Sequence, residues 1–297
     1  MEIIKTQRLT KYYGKARGIV DLDLTVQSGE FFGFIGPNGA GKSTTIRTLL
    51  GLINPSGGSA KIYGLDITKD KQEILNRVGY MPSETVFYSG MRVGEVLKLS
   101  AQLRKKDCTA EAEYLCHRLE LDMSRKVEEL SFGNRKKVGI VCALQHNPEL
   151  LIMDEPTGGL DPLMQRVFFD ILQERNKAGT TIFLSSHVLS EVQRYCSRAA
   201  IIRDGRVIAC DSVSALSASN AKRVMVRGNV DLSNVEGIRD RKDTQEGSSF
   251  LFGGDMDVLL KRLAAGQVQD LTISEPDLDE VFMHYYEGGL TDDVIET

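Results

Sequence analysis

The apolar residues follow two different periods along the chain. Phe31–Ile35 and Leu150–Met153 are short, nearly continuous apolar runs, and they read as strands buried on both faces. Val20, Leu22, Leu24 and Val26 instead alternate with polar residues, which predicts a half-buried strand over 19–27, with a second over 2–10. Between these two, Lys11-Tyr12-Tyr13-Gly14 reads as a turn carrying two aromatics. Ser59–Tyr63 and Val78–Met81 read as short strands, the latter stopped by Pro82. From about 91 to 147 the spacing turns helical. Val93, Val96, Leu97 and Ser100 share one face, as do Ala112, Leu115, Cys116 and Leu119; a third helix follows Asn134 with Val138, Val141 and Cys142 on a stripe. A helix over about 163–176 precedes a strand at Thr180–Leu184. Val188, Val192, Tyr195 and Cys196 then mark one helix face, and Ala199–Arg203 and Val207–Cys210 meet at the turn Asp204-Gly205. Alternating strands and helices with a helical insertion predict an α/β fold with a mainly parallel core sheet.

Near Ser212–Asn220 the composition becomes small and polar, so a domain boundary is expected there, with one domain over 1–213 and another over 214–297. Val213–Leu216 can hold a helical turn. Beyond it, strand-like segments at Arg223–Arg227, Phe250–Phe252 and Val268–Ile273 and a helix over Asp255–Ala265 predict a small α+β appendage. Charge divides along the same line. Of the net −4 over 297 residues, residues 212–297 hold 8 basic and 16 acidic side chains, and the preceding 211 residues are net +4. An acidic C-terminal part argues against nucleic acid as its partner. Five cysteines without C-x-x-C spacing point to reduced thiols. The lack of an apolar run of about 18 residues leads us to expect no membrane span, and a cytoplasmic protein.

The chemistry begins at Gly36-Pro37-Asn38-Gly39-Ala40-Gly41-Lys42-Ser43-Thr44, which fits G-x-x-x-x-G-K-[ST] between a strand and a helix. A glycine-rich turn there curls successive N–H groups around an anion, and the helix N-terminus adds partial positive charge. Lys42 would reach the β- and γ-phosphates, and Ser43 would offer a hydroxyl to Mg²⁺. Asp154, ending an apolar strand, suits a carboxylate that reaches Mg²⁺ directly or through water. Glu155 beside it could take the proton from an attacking water; an acidic pair after a strand can also cap a helix. His187, following a strand, could hold the γ-phosphate or that water. The basic run Arg135-Lys136-Lys137 reads as a solvated helix face.

Taken in order over about residues 3–211, these features resemble the ATP-binding subunit of ATP-binding cassette (ABC) transporters. The resemblance implies a P-loop NTPase core with an antiparallel β-subdomain, a helical subdomain over about 84–147, ATP and Mg²⁺ as ligands, and Glu155 as catalytic base with His187 as switch histidine. It also makes Tyr13 the aromatic that stacks on adenine. Leu130-Ser131-Phe132-Gly133-Asn134 is similar to the signature L-S-G-G-Q, and Gly159-Leu160-Asp161 to the D-loop. Ser131 and Gly133 would then face the nucleotide of a second copy, so the resemblance implies a homodimer that encloses two ATPs. Ser83 stands where a glutamine normally reaches the metal; Phe132, Asn134 and Gly158 are further departures, and together they leave a slow or non-catalytic regulator as an alternative. A soluble relative acting on DNA or ribosomes fits less well, because the Lys42–Asp154 spacing leaves no room for a coiled coil and the chain has one cassette.

The segment Glu275–Tyr286 resembles the closing motif of bacterial drug- and antibiotic-export ATPases, with Leu278, Val281, Phe282 and Tyr285 on one helical face. The implied partner is a separate integral-membrane permease, which would hold the protein at the inner face of the membrane. Phe87 and Tyr88, in the loop Ser83–Gly94, are candidate anchors to it.

Overall fold

The computed structural model describes residues 1–217, 222–233, 235–244 and 247–274. Residue contacts divide the chain into Met1–Asp211 and Ser212–Thr297. In chain order the first unit holds β1 (Glu2–Tyr13), β2 (Ala16–Gln27), β3 (Phe31–Ile35), α1 (Lys42–Leu49), β4 (Gly57–Ile62), β5 (Leu65–Asp66), α2 (Lys71–Arg77) and β6 (Val78–Met81). It continues with α3 (Val93–Leu103), α4 (Thr109–Arg118), α5 (Phe132–Leu144), β7 (Leu150–Asp154), α6 (Pro162–Lys177), β8 (Thr181–Ser186), α7 (Leu189–Tyr195), β9 (Arg198–Arg203) and β10 (Arg206–Ser212).

A six-stranded sheet in the order β10-β9-β3-β8-β7-β6 forms the centre, and its β9-β3-β8-β7-β6 neighbours run parallel. Every residue of β3, β7 and β8 is buried, as expected of parallel strands covered on both faces. A second sheet, β2-β1-β4-β5, is antiparallel. Helix α1 lies in the apolar layer the two sheets share: Ile46, Leu49 and Leu50 pack with Ile4, Leu22 and Leu24 of the antiparallel sheet and with Phe34, Ile152 and Ile202 of the parallel one. The i, i+3, i+4 spacing of those three residues thereby fixes which face of α1 turns inward.

Two expectations need correction. Lys11, Tyr12 and Tyr13 are the last residues of β1 rather than a turn; they pair with Ile19, Arg17 and Ala16, and the chain reverses only at Gly14-Lys15. Aromatic residues suit a strand, and Gly14, with φ +59, opens the two-residue reversal. The basic run is not solvated: Lys136 and Lys137 are both buried, because Lys136 shares the i, i+4, i+7 face of α5 with Ile140 and Ala143. Helix α2 went unread in the sequence.

Helices α3–α5 form the insertion, and α5 presses on β6. A Cβ added to Gly79 would sit 2.2 Å from the backbone oxygen of Ala143 and 2.8 Å from Cγ of Pro148. His146, just past α5, is buried with Nε2 3.3 Å from the Val78 oxygen; burial, and the charge of Arg104, push its pKa down to about 4.

The second unit holds α8 (Val213–Ser217), β11 (Lys222–Asn229), β12 (Ile238–Thr244), β13 (Gly247–Phe252), α9 (Met256–Ala264) and β14 (Gln267–Ser274). Its antiparallel sheet, β12-β13-β11-β14, shares a small core with α9 through Val224, Val226, Phe250, Phe252, Leu259 and Leu263. Strand β12 escaped the sequence reading because Ile238–Thr244 is almost entirely polar and exposed. The segment Glu275–Tyr286 lies outside the described residues.

Gly79→Ala should destabilise the first unit by about 1–3 kcal/mol, since a backbone oxygen rather than a movable side chain meets the new methyl; the urea midpoint reads this out. Protonation of His146 gives a second test. Its folded pKa lies below the unfolded value, so between about pH 6.5 and 4 the unfolded chain binds the extra proton and stability falls with pH. Relative to His146→Gln, the wild type should lose on the order of 2 kcal/mol between pH 7 and 4.5, measured by denaturant titration at each pH.

Candidate active site

The site collects at the C-terminal ends of four neighbouring parallel strands, where open α/β sheets present their ligand crevices. The glycine loop follows β3, Asp154 ends β7, His187 follows β8, and Ser83 stands two residues past β6. Hydrophobic strands thus place side by side polar groups that are far apart in sequence, Lys42 and Asp154 among them.

The loop 36–41 has the tight form that phosphate cradles need. Gly39 and Gly41 have φ of +82 and +110, and a Cβ at Gly36 would lie 2.4 Å from the Ile202 oxygen. Pro37, Asn38 and Gly39 are exposed at the rim, whereas Ala40 is buried and its oxygen accepts from Gly205 N at 2.9 Å. The first N–H groups of α1 open toward the loop, as at any helix start. Ser43 and Thr44 lie in that first turn, half-buried.

Lys42 has 4 % of its side chain exposed. Its amine donates to the oxygens of Gly36 (2.6 Å) and Pro37 (3.0 Å) and pairs with Oε1 of Glu155 at 3.2 Å. The other carboxylate oxygen of Glu155 is 3.3 Å from Nδ1 of His187. Burial pushes the Glu155 carboxyl up, but the hydrogen bond and charge of Lys42, with those of His187, outweigh it and hold the group below its usual value. Glu155 has φ +48 and donates its N–H to the Ser185 oxygen at 3.0 Å; this left-handed turn sends its side chain away from the line of β7.

Asp154 is fully buried, and among the described residues neither of its carboxylate oxygens has a hydrogen-bond partner; the same holds for the Ser185 hydroxyl beside it in register. A buried carboxylate without a donor is costly unless a cation completes it. Its charge is felt at Tyr80, whose phenol is pushed up to about 12 by burial first and by Asp154 second. Among the described residues no group of three His, Cys, Asp or Glu forms a self-sufficient metal cage. The donor set of Ser43, Asp154 and Ser83 therefore fits a hard cation such as Mg²⁺ that takes the rest of its oxygens from phosphate and water.

Tyr13 joins this site through Gly18: a Cβ there would stand 3.2 Å from the Tyr13 ring and 3.0 Å from Cγ2 of Thr44. The ring is about half exposed and lies under the Lys11 amine. Ser131, Gly133 and Asp161 form a second patch. Ser131 caps α5 by accepting from Asn134 N at 3.3 Å, and Asp161 caps α6 by accepting from Met164 N at 3.0 Å. Gly133 packs on the loop before α6, where its Cβ would meet the Gly159 oxygen at 2.4 Å; Phe132 is 51 % exposed at the tip. The two patches are bridged by Lys136 of α5, which donates to the Glu155 oxygen at 2.9 Å. The sequence reading missed this residue, although its i, i+4, i+7 spacing with Ile140 and Ala143 was the available signal.

The sequence profile of the ABC transporter family matches residues 19–158. The bacitracin transport ATP-binding protein BcrA of Bacillus licheniformis is 41 % identical over 213 residues, covering 69 % of this chain and 68 % of that protein. The Nod factor export ATP-binding protein I of Cupriavidus pinatubonensis is 34 % identical, covering 83 % and 74 %. Among solved structures, an ATP-binding subunit of an ABC transporter superposes with a TM-score of 0.68 at 32 % identity, covering 72 % of this chain and 91 % of that one. The dimeric bacterial cassette MJ0796 does so with a TM-score of 0.63 at 25 % identity, covering 71 % and 98 %. No described helix is long and apolar enough to cross a membrane. The loop, the strand-end carboxylates and these similarities agree: the chain belongs to the nucleotide-binding ATPase subunits of ABC transporters, and within them resembles the drug-export branch.

Proposed function

We propose that this chain is the Mg²⁺-dependent, ATP-hydrolysing subunit of an exporter for a drug-, antibiotic- or lipid-like substrate, acting through a separate membrane permease. The observation that carries the reading is the Lys42–Glu155–His187 cluster beside the Asp154 carboxylate, which has no hydrogen-bond partner among the described residues. Residues 1–213 are the ATP-binding domain and 214–297 an accessory domain. Asn38, Gly39, Ala40, Gly41 and Thr44 line the phosphate cradle begun at Gly36, and Tyr13 stacks on the adenine. Mg²⁺ held by Ser43, Asp154 and Ser83 would neutralise charge on the β- and γ-phosphates.

The protein's own part begins with an exchange of partners. When a triphosphate enters, the Lys42 amine leaves the Gly36 and Pro37 oxygens and the Glu155 carboxylate for phosphate oxygens. Removing that hydrogen bond and charge raises the basicity of Glu155, which becomes a stronger acceptor for the proton of the attacking water. His187, already 3.3 Å from Glu155, stays placed to orient the γ-phosphate side of the reaction. Ser131 and Gly133 close the nucleotide site of a second copy, aided by Asp161, so the working unit is a homodimer. Loop 83–94, where Tyr88 is well exposed, meets the permease and keeps the cytoplasmic subunit at the membrane. The names of the bacitracin and Nod factor relatives support the export direction and the substrate class.

Glu155→Gln should keep nucleotide binding, lower turnover by about 100-fold or more, and trap an ATP-bound dimer visible by light scattering. Lys42→Ala should weaken ATP affinity by about tenfold or more, read by equilibrium binding. A Glu155→Gln enzyme that turns over like wild type would defeat the assignment.

A further inference from the structure

We propose that Lys136 is a positioning residue, tying the helix that begins at Ser131 to the backbone of Glu155 and so aiming that carboxylate. The inference rests on the reading of Glu155 as the base and of Ser131 as the contact to a second copy's nucleotide.

The contact is unusual for a lysine. Lys136 is 2 % exposed, and its amine donates to the Glu155 carbonyl oxygen at 2.9 Å. Burial drives its pKa down, against the pull of the Asp154, Glu155 and Glu84 carboxylates around it. A cation is held at this depth only when hydrogen bonding and opposite charge compensate it. The other end of the contact is a residue in the left-handed region, which a glutamate occupies when its surroundings impose it. Here both sides of the residue are held: the N–H by Ser185 of β8, and the carbonyl by Lys136 of α5.

Helix α5 also locks onto the loop that follows Glu155. A Cβ at Gly133 would meet the Gly159 oxygen at 2.4 Å, and one at Gly159 would meet the Phe132 ring at 2.3 Å, so no slack separates the first turn of α5 from this loop. A push on Ser131 therefore moves the Gly159 loop through the first turn and the Glu155 carbonyl through the second. Closure against a second copy is in this way transmitted to the base within the same chain.

The test compares Lys136→Met, which keeps the length and apolar stem but loses the donor, with Lys136→Gln, which keeps a donor. K136M should lower kcat by about tenfold or more while KM and ATP affinity stay within about twofold. K136Q should recover most of the lost kcat. If K136M does not fold, Lys136→Asn, whose amide is too short to reach the carbonyl, replaces it with the same expected loss. Wild-type turnover in K136M or K136N, or a K136Q enzyme as slow as they are, overturns the proposal. A wild-type protein that does not hydrolyse ATP would instead defeat the activity on which it rests.

Discussion

A lysine ammonium with only 4 % of its side chain exposed must be compensated on every side, and in Lys42 that compensation organises the site. Two backbone oxygens of its own loop and one carboxylate from a strand more than a hundred residues away satisfy its three donors. The loop can supply those oxygens because glycines let the backbone turn in on itself. The carboxylate arrives because β3, β8 and β7 are adjacent parallel strands. The same geometry means that an incoming triphosphate competes with the protein's own acceptors for the Lys42 amine.

The negative side is arranged with the opposite logic. Among the described residues Asp154 is buried without donors, whereas Glu155, one residue later, meets Lys42 and His187. Two successive carboxylates are thus sent into different surroundings by a single left-handed backbone angle. In the proposed reading one serves a cation and the other proton transfer. Burial alone would push the Glu155 carboxyl up; the lysine and the histidine beside it hold it down.

Much of this was legible in the chain. Phe31–Ile35 and Leu150–Asp154 announce buried parallel strands, and a glycine loop after one with an acidic pair at the end of the other leaves few arrangements open. The helical insertion followed from its 3.6 period. What was missed has physical reasons. Lys136 looks like surface because charge usually means solvent, but it is buried and its head finds a carbonyl. Tyr12 and Tyr13 look like a turn only because a glycine follows. Strand β12 is held by backbone pairing with β13 and carries no apolar alternation. The closeness of Tyr13 to Thr44 across Gly18 depends on β1–β2 register, including its bulges, which no local pattern encodes.

The backbone of Glu155 has a consequence for how such a subunit ages under mutation. A glutamate at φ +48 is less comfortable than glycine or asparagine would be. Replacement by either of those two would therefore relax the turn, while β-branched residues would strain it further. Drift toward glycine or asparagine here would give a sturdier turn without the carboxylate, so in the proposed reading stability and turnover pull this position in opposite directions.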